Sequence, residues 1–238
     1  MSSSFTTAVD IATARGAVIF PYPLRDESAA RYADSVNAKF ASPDRTRGFS
    51  LSPQSLRTVP PGYRLVLPSP NGAALCFGAV HPILLAACLR NAAAVARAAD
   101  GLGSTIAVIP TGERWPAGDL RPSLEDLVGA GAVIATLPGS RSPEAALAAT
   151  AFEHFREGLL QAFRESVSGK ELIARGFGLD IDIAAELNVS ENVPRLVNGT
   201  LVSWGLHGAG TFVDTLGEDA SAKAPGVDLP GSASARVS

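Results

Sequence analysis

Ser69-Pro70-Asn71-Gly72 lies where an apolar run, Leu65-Val66-Leu67, gives way to the helical-looking stretch AALCFGA. A turn from a strand into a helix presents free backbone N–H groups and the positive end of a helix dipole, which together suit an anion. Gly72 lets the backbone approach a ligand closely, and Ser69 and Asn71 add polar side chains. The same four residues also spell an ordinary β-turn. A second segment, 111–126, gathers Glu113, Arg114, Asp119, Arg121, Glu125 and Asp126. Carboxylates beside a strand end are what a hard cation needs, since Mg²⁺ takes one or two of them and fills its shell with water and phosphate oxygens. Glu125 and Asp126 would equally well complement the dipole of a helix in its first turn. A third segment, 42–58, carries Arg45 and Arg47, which either clamp an anionic substrate or stay solvated.

These loops need elements to hold them. Helical spacing over Ser4–Thr13 places Phe5, Val9, Ile11 and Ala12 near one face, and Gly16 ends the helix. A strand is expected at 17–23, an amphipathic helix at 25–41, a loop at 42–62 and a strand at 63–68, followed by the turn and a short helix. Further strands are expected at 83–89 (ILLAACL) and 104–110 (STIAVIP). Asn91 is the expected N-cap of the helix between them. Ser123 is the expected cap of the next helix, with Asp126 placed three residues on, close to a capping box. A long helix at 143–167, two shorter ones and a hairpin around Asn198-Gly199 complete the domain. Residues 206–238, rich in Gly, Ala, Ser, Asp and Pro, read as a disordered tail after a domain of residues 1–205. Strands alternating with helices argue for an α/β layer architecture, and its binding sites lie at the carboxyl ends of strands.

Composition narrows the chemistry. The chain has 238 residues, 46% hydrophobic and 18% charged, with a net charge of −3, so nothing points to a nucleic-acid partner. No stretch approaches the ~20 apolar residues of a membrane span, and the start lacks a secretory leader, so a cytoplasmic protein is expected. Cys76 and Cys88 sit in apolar surroundings without metal-ligand spacing and read as inert buried thiols. Three scattered histidines, His81, His154 and His207, make a histidine metal site improbable. Phosphate-loop, dinucleotide and nucleophile-elbow motifs are all absent from the sequence.

In order along the chain, AVDIATARGAVIFPYPLRDESAARYA, GFSLSPQSL, LPSPNGAAL, LRNAAAVA, GERW, LRPSLEDLVGAGAVI and GFGLDIDIAAELNVSENVPRL resemble the 2-phosphosulfolactate phosphatase family. The resemblance implies a three-layer α/β/α fold with a mixed sheet. It also implies Mg²⁺-dependent hydrolysis of 2-phosphosulfolactate to sulfolactate and phosphate, a step in one route to coenzyme M. On it, Asn71, Glu125 and Asp126 would be catalytic, with Glu125 and Asp126 also holding the metal. Ser69, Gly72, Arg45, Glu113 and Arg114 would bind a small phosphorylated sulfonate or carboxylate. A homodimer is compatible with this reading. Two departures stand out. Family members usually begin with a buried strand ending in Asp-Val-Leu or similar, and this chain starts where that strand finishes, so the first strand is expected to be missing. Asn188 and Asn192 stand where acids are often found. Two other readings remain open: a phosphatase for a different small phosphoacid, and a non-catalytic anion-binding relative on the same scaffold.

Overall fold

The computed structural model describes residues 3–79, 83–115 and 117–205; the expected tail, His81 and His207 lie outside them. The first helix, α1 (Ser3–Ala14), ends before Gly16, whose φ of 82° turns the chain toward β1 (Val18–Tyr22). From Ser4 to Thr13 every residue of α1 except Thr6 is buried, so this is a core helix covered on all sides, where the sequence pointed to one apolar face. Asp26 caps α2 (Glu27–Ser35), its side chain accepting from the Ser28 N–H. The helix expected over 25–41 stops early because Asn37 takes a φ of 48°, and β2 (Lys39–Phe40) follows. The loop expected at 42–62 contains a 3-10 turn at Pro53–Thr58 before β3 (Arg64–Pro68) and α3 (Gly72–Gly78).

After α4 (Ala92–Asp100) come a two-stranded ribbon of β4 (Glu113–Arg114) and β5 (Leu120–Arg121), and then α5 (Leu124–Thr136). The single helix expected over 143–167 is instead α6 (Pro143–Phe155), a 3-10 turn ending at Gly158, and α7 (Leu159–Glu165). Next are α8 (Val167–Ala174), α9 (Gly178–Ala184) and the hairpin of β6 (Pro194–Val197) and β7 (Thr200–Ser203). Asn198 and Gly199 both have positive φ, 48° and 77°, as a tight hairpin turn matched to strand twist requires.

The main sheet is mixed, in the order β2-β3-β1-β7-β6, with β1, β2 and β3 parallel and β7 antiparallel to β1. Its central strands are apolar on both faces. Ile19, Leu65, Leu67 and Leu201 pack with Phe5 and Val9 of α1 and with Leu56, while Phe20, Tyr22 and Val66 pack with Ala29 and Ala33 of α2. Helices therefore cover both sides, giving the three layers expected. A second core, including Leu89, Val128, Phe152, Phe163 and Leu172, joins the helices from α4 onward. Within it α5 and α6 touch backbone to backbone: a Cβ on Gly131 would lie 2.0 Å from the Ala148 carbonyl oxygen.

Two expected strands are corrected. Residues 83–89 run beside β6 through one bridge, Leu85 with Arg195, flanked by the bonds Ala86 N–H to Pro194 O and Leu196 N–H to Leu84 O, both 2.9 Å. Residues 104–110 form no strand among the described residues; Val108 is half-buried against the helices, while Ile106 and Ile109 are exposed. An apolar run becomes a strand only where a partner lies alongside.

Candidate active site

Three parallel strands end at the same edge of the sheet, and the loops leaving them hold Arg25 after β1, Arg45 after β2, and Ser69 and Asn71 after β3. Ser69 is buried, and its N–H donates to the Tyr22 carbonyl at 2.9 Å, tying the ends of β1 and β3 together. Asn71 precedes α3 without capping it with its side chain; its Nδ2 instead donates to Glu113 Oε2 at 3.1 Å. That bond joins the turn to the β4–β5 ribbon, where Glu113 is itself buried. Gly72 has a packing reason rather than a ligand-facing one. A Cβ there would come within 2.5 Å of the Phe5 ring, so the missing side chain lets α3 press onto α1.

Glu125 and Asp126 open α5. Ser123 makes no side-chain cap, so the expected capping box does not form. Glu125 is only 5% exposed, and neither of its carboxylate oxygens has a hydrogen-bond partner among the described residues. Arg121 is near enough for its charge to interact with that of Glu125, yet its guanidinium forks onto Glu171 at 2.9 and 3.2 Å. Glu125 lines a cavity of about 10 Å³, room for roughly one water, together with Ser4, Ser166, Leu172 and Asp180. Asp126 follows it in the first turn and is half-buried.

Arg45 reaches this region from the other side. Its Nη1 pairs with Asp180 Oδ2 at 2.9 Å, and its guanidinium lies 5.6 Å from the centre of the Phe177 ring. Asp180, in the first turn of α9, also accepts from Ser52 Oγ at 2.5 Å and from the Gln54 N–H at 3.3 Å. Burial pulls the Arg45 guanidinium below its ordinary value, with Asp180 pulling the other way. Arg114 is exposed and donates to the Gly118 carbonyl at 2.8 Å, closing the turn of the ribbon. The structure thus brings Asn71 and Glu113 into contact and sets Glu125 and the Arg45 partner Asp180 on one cavity, while Arg114 serves its own turn.

Sequence reasoning missed Asp180 and Asp10. Both are buried acids inside apolar helical patterns, LDIDIAAEL and AVDIATA, and a charged residue on such a face is the signal that identifies them. Asp10 has a structural task, accepting from Arg90 Nε at 3.0 Å and Ser190 Oγ at 2.7 Å. Asn192 donates to the Asp10 carbonyl at 3.0 Å and to Thr13 Oγ1 at 2.8 Å. Asn188 Oδ1 accepts from the Ala93 N–H at 2.9 Å, capping α4 in place of Asn91. The Asn91 side chain accepts from the Cys88 N–H instead. The two amides noted in the sequence therefore brace α1 and α4. Cys76 and Cys88 are buried and free, and burial pushes each thiol up to about 12.

The sequence profile of a family described as 2-phosphosulpholactate phosphatase matches residues 44–199. The chain belongs to that family. Among its relatives, a 2-phosphosulfolactate phosphatase of Methanothermobacter thermautotrophicus is 31% identical over 140 residues, 59% of each chain. A probable 2-phosphosulfolactate phosphatase of Carboxydothermus hydrogenoformans is 33% identical over 146 residues, again 59% of each chain. One of the same description from Gloeobacter violaceus is 32% identical over 136 residues, 56% of each. The chain thus spans less than two thirds of the length of the curated relatives it matches. The matched stretch contains Arg45, Ser69, Asn71, Gly72, Glu113, Arg114, Glu125, Asp126 and Asp180, but not α1 or Arg25.

Proposed function

We propose that this protein is a phosphatase that hydrolyses 2-phosphosulfolactate with the help of Mg²⁺, releasing sulfolactate and phosphate in the cytoplasm, as in the route to coenzyme M. Membership of the family supports the reaction class, and the names of the relatives support the substrate. The observation that carries the site assignment is Glu125, a buried carboxylate with both oxygens unpartnered among the described residues, next to Asp126 and within reach of the charge of Arg121, the residue opposite Glu113 in the β4–β5 ribbon. Burying an ionised carboxylate is expensive unless something cationic answers it.

Glu125 and Asp126 offer the carboxylate oxygens that Mg²⁺ takes. Among the described residues no three His, Cys, Asp or Glu side chains group as a metal site, so an ion here would take Glu125 and Asp126 and leave its remaining positions to water and phosphate oxygens. Bound there, Mg²⁺ would supply neutralising charge for the phosphoryl oxygens. The rest falls to the protein. Ser69 and Asn71 orient the phosphoryl group at the carboxyl end of β3. Glu113, fixed by the Asn71 amide, accepts a proton from the water that attacks phosphorus in line. The phosphorus–oxygen bond to the sulfolactate carbon skeleton breaks, the leaving oxygen takes a proton from solvent, and Glu113 returns its own proton to solvent. Burial pushes both thiols up to about 12, which disfavours the thiolate that a cysteinyl intermediate needs.

Phosphate release by the purified chain, from 2-phosphosulfolactate and from other small phosphoacids, with Mg²⁺ and with EDTA, tests this reading. Release with Mg²⁺ and none with EDTA is expected. A clear preference for another phosphoacid would move the substrate, and sulfolactate binding without release from any of them would replace the enzyme by an anion-binding relative.

A further inference from the structure

Arg121 stands shortly before Glu125 in the chain, at the end of β5, and the two are near enough for their charges to interact. Its guanidinium pairs elsewhere. Nη1 and Nη2 donate to the two Glu171 carboxylate oxygens at 2.9 and 3.2 Å, and the group lies 5.3 Å from the centre of the Trp115 ring. Glu171 sits on α8 between Gly169 and Leu172, both of which line the Glu125 cavity. The fork is therefore anchored at an exposed position of the helix that walls the bare carboxylate.

This pairing runs against the electrostatics of burial. The Arg121–Glu171 pair meets water, with 44% of the Glu171 side chain exposed, and exposed ion pairs contribute little to stability. Glu125 is buried with both oxygens unpartnered among the described residues, and charges attract more strongly in such surroundings than in water. Geometry keeps Arg121 outside. A carboxylate that takes two N–H groups at once matches the planar guanidinium, and the Trp115 ring offers it a face to rest on. Glu113, opposite Arg121 in the ribbon, already accepts from the Asn71 amide. Glu125 is then the acid that Arg121 meets once the fork is released.

We propose that Glu171 is a positioning residue that holds Arg121 off Glu125, so that the buried carboxylate stays open to a divalent cation. Without the fork, the guanidinium turns inward, pairs with Glu125 and blocks it. The role of that cation in phosphate hydrolysis rests on the phosphatase reading, but the hold on Arg121 does not. Two measurements keep them apart. The first is thermal unfolding of the full chain in EDTA, which needs neither metal nor turnover. Glu125→Met should raise the melting temperature of the parent and lower that of Glu171→Gln, where it breaks a newly formed pair, by about 2 °C or more in each direction. A shift of the same sign in both backgrounds overturns the proposal. The second is calorimetric titration with Mg²⁺. Glu171→Gln should weaken binding about tenfold or more, since only molecules with Glu125 unpaired can take the ion. Adding Arg121→Gln should restore most of that affinity, because the competitor is gone. Equal affinity in parent and Glu171→Gln, or a weakening that Arg121→Gln does not relieve, overturns the proposal. Mg²⁺ binding absent from the parent, with the reversal of sign in EDTA present, supports the hold on Arg121 and overturns the metal assignment.

Discussion

Replacing Glu125 by methionine should make the protein more stable and nearly inactive. Both Glu125 oxygens are buried without a hydrogen-bond partner among the described residues, and a buried unsatisfied polar group costs about 1–3 kcal/mol. Methionine has a similar volume and no oxygen to satisfy. Against that gain stands the loss of a carboxylate in the first turn of α5, worth about 0.3–1 kcal/mol. The attraction to Arg121, already engaged by Glu171, adds about 0–1 kcal/mol more to the loss. The balance is a stabilisation of about 1 kcal/mol, or roughly 2–4 °C in Tm for a domain of this size. On the proposed reading Glu125 holds the cation that answers charge in the transition state, so its removal should cut phosphate release by about 100-fold or more. Thermal unfolding followed by circular dichroism, run beside a phosphate-release assay in Mg²⁺, reads both quantities. A variant destabilised by more than about 1 kcal/mol would mean that Glu125 has a structural partner, and the burial reasoning would fail.

Other outcomes follow from the packing and the buried polar groups. Gly131→Ala should separate α5 from α6, because its Cβ would lie 2.0 Å from a backbone oxygen, and urea unfolding should show a loss of about 1–3 kcal/mol. Asn192→Asp would set a carboxylate against the Asp10 side chain, 3.4 Å away, and remove the donor to Thr13; a loss of about 2–4 kcal/mol should appear in the same assay. Cys76 and Cys88 should resist alkylation in the folded protein at pH 8 and react on unfolding. Their folded pKa values, raised to about 12, exceed the unfolded value near 9, so their contribution is intact below about pH 9 and is lost as pH climbs toward 12, by up to about 1.4 kcal/mol per pH unit for each thiol. Alkaline unfolding of a Cys76→Ala variant should accordingly show a shallower fall than the parent.

Elements with short-range signals were legible in the sequence. Gly16 closing α1, the continuous apolar runs of β1 and β3, and Asn198-Gly199 between β6 and β7 are each short-range signals, and each element formed there. Elements that depend on a partner were not legible. The run 83–89 has the composition of a strand but meets β6 through one bridge, and 104–110 has no strand beside it among the described residues. Asn37 and Gly158 broke helices whose amphipathic pattern ran on past them. At the site, the turn after β3 and the acids at the start of α5 could be read as chemistry. Their arrangement could not, because the Asn71–Glu113 bond spans 42 residues and the Arg45–Asp180 pair spans 135. Asp180 and Asp10 were within reach of the sequence, since an aspartate on an apolar helix face needs a partner to be there.

The central claim, that Asn71 and the acids opening α5 form a phosphate-hydrolysing site, is tested most directly by steady-state phosphate release from 2-phosphosulfolactate by the parent, Asn71→Ala and Asp126→Asn, each checked for native circular dichroism. Turnover by the parent and a fall of about 100-fold in both folded variants is the predicted result. Equal rates in all three proteins would contradict it and place the chemistry elsewhere in the fold.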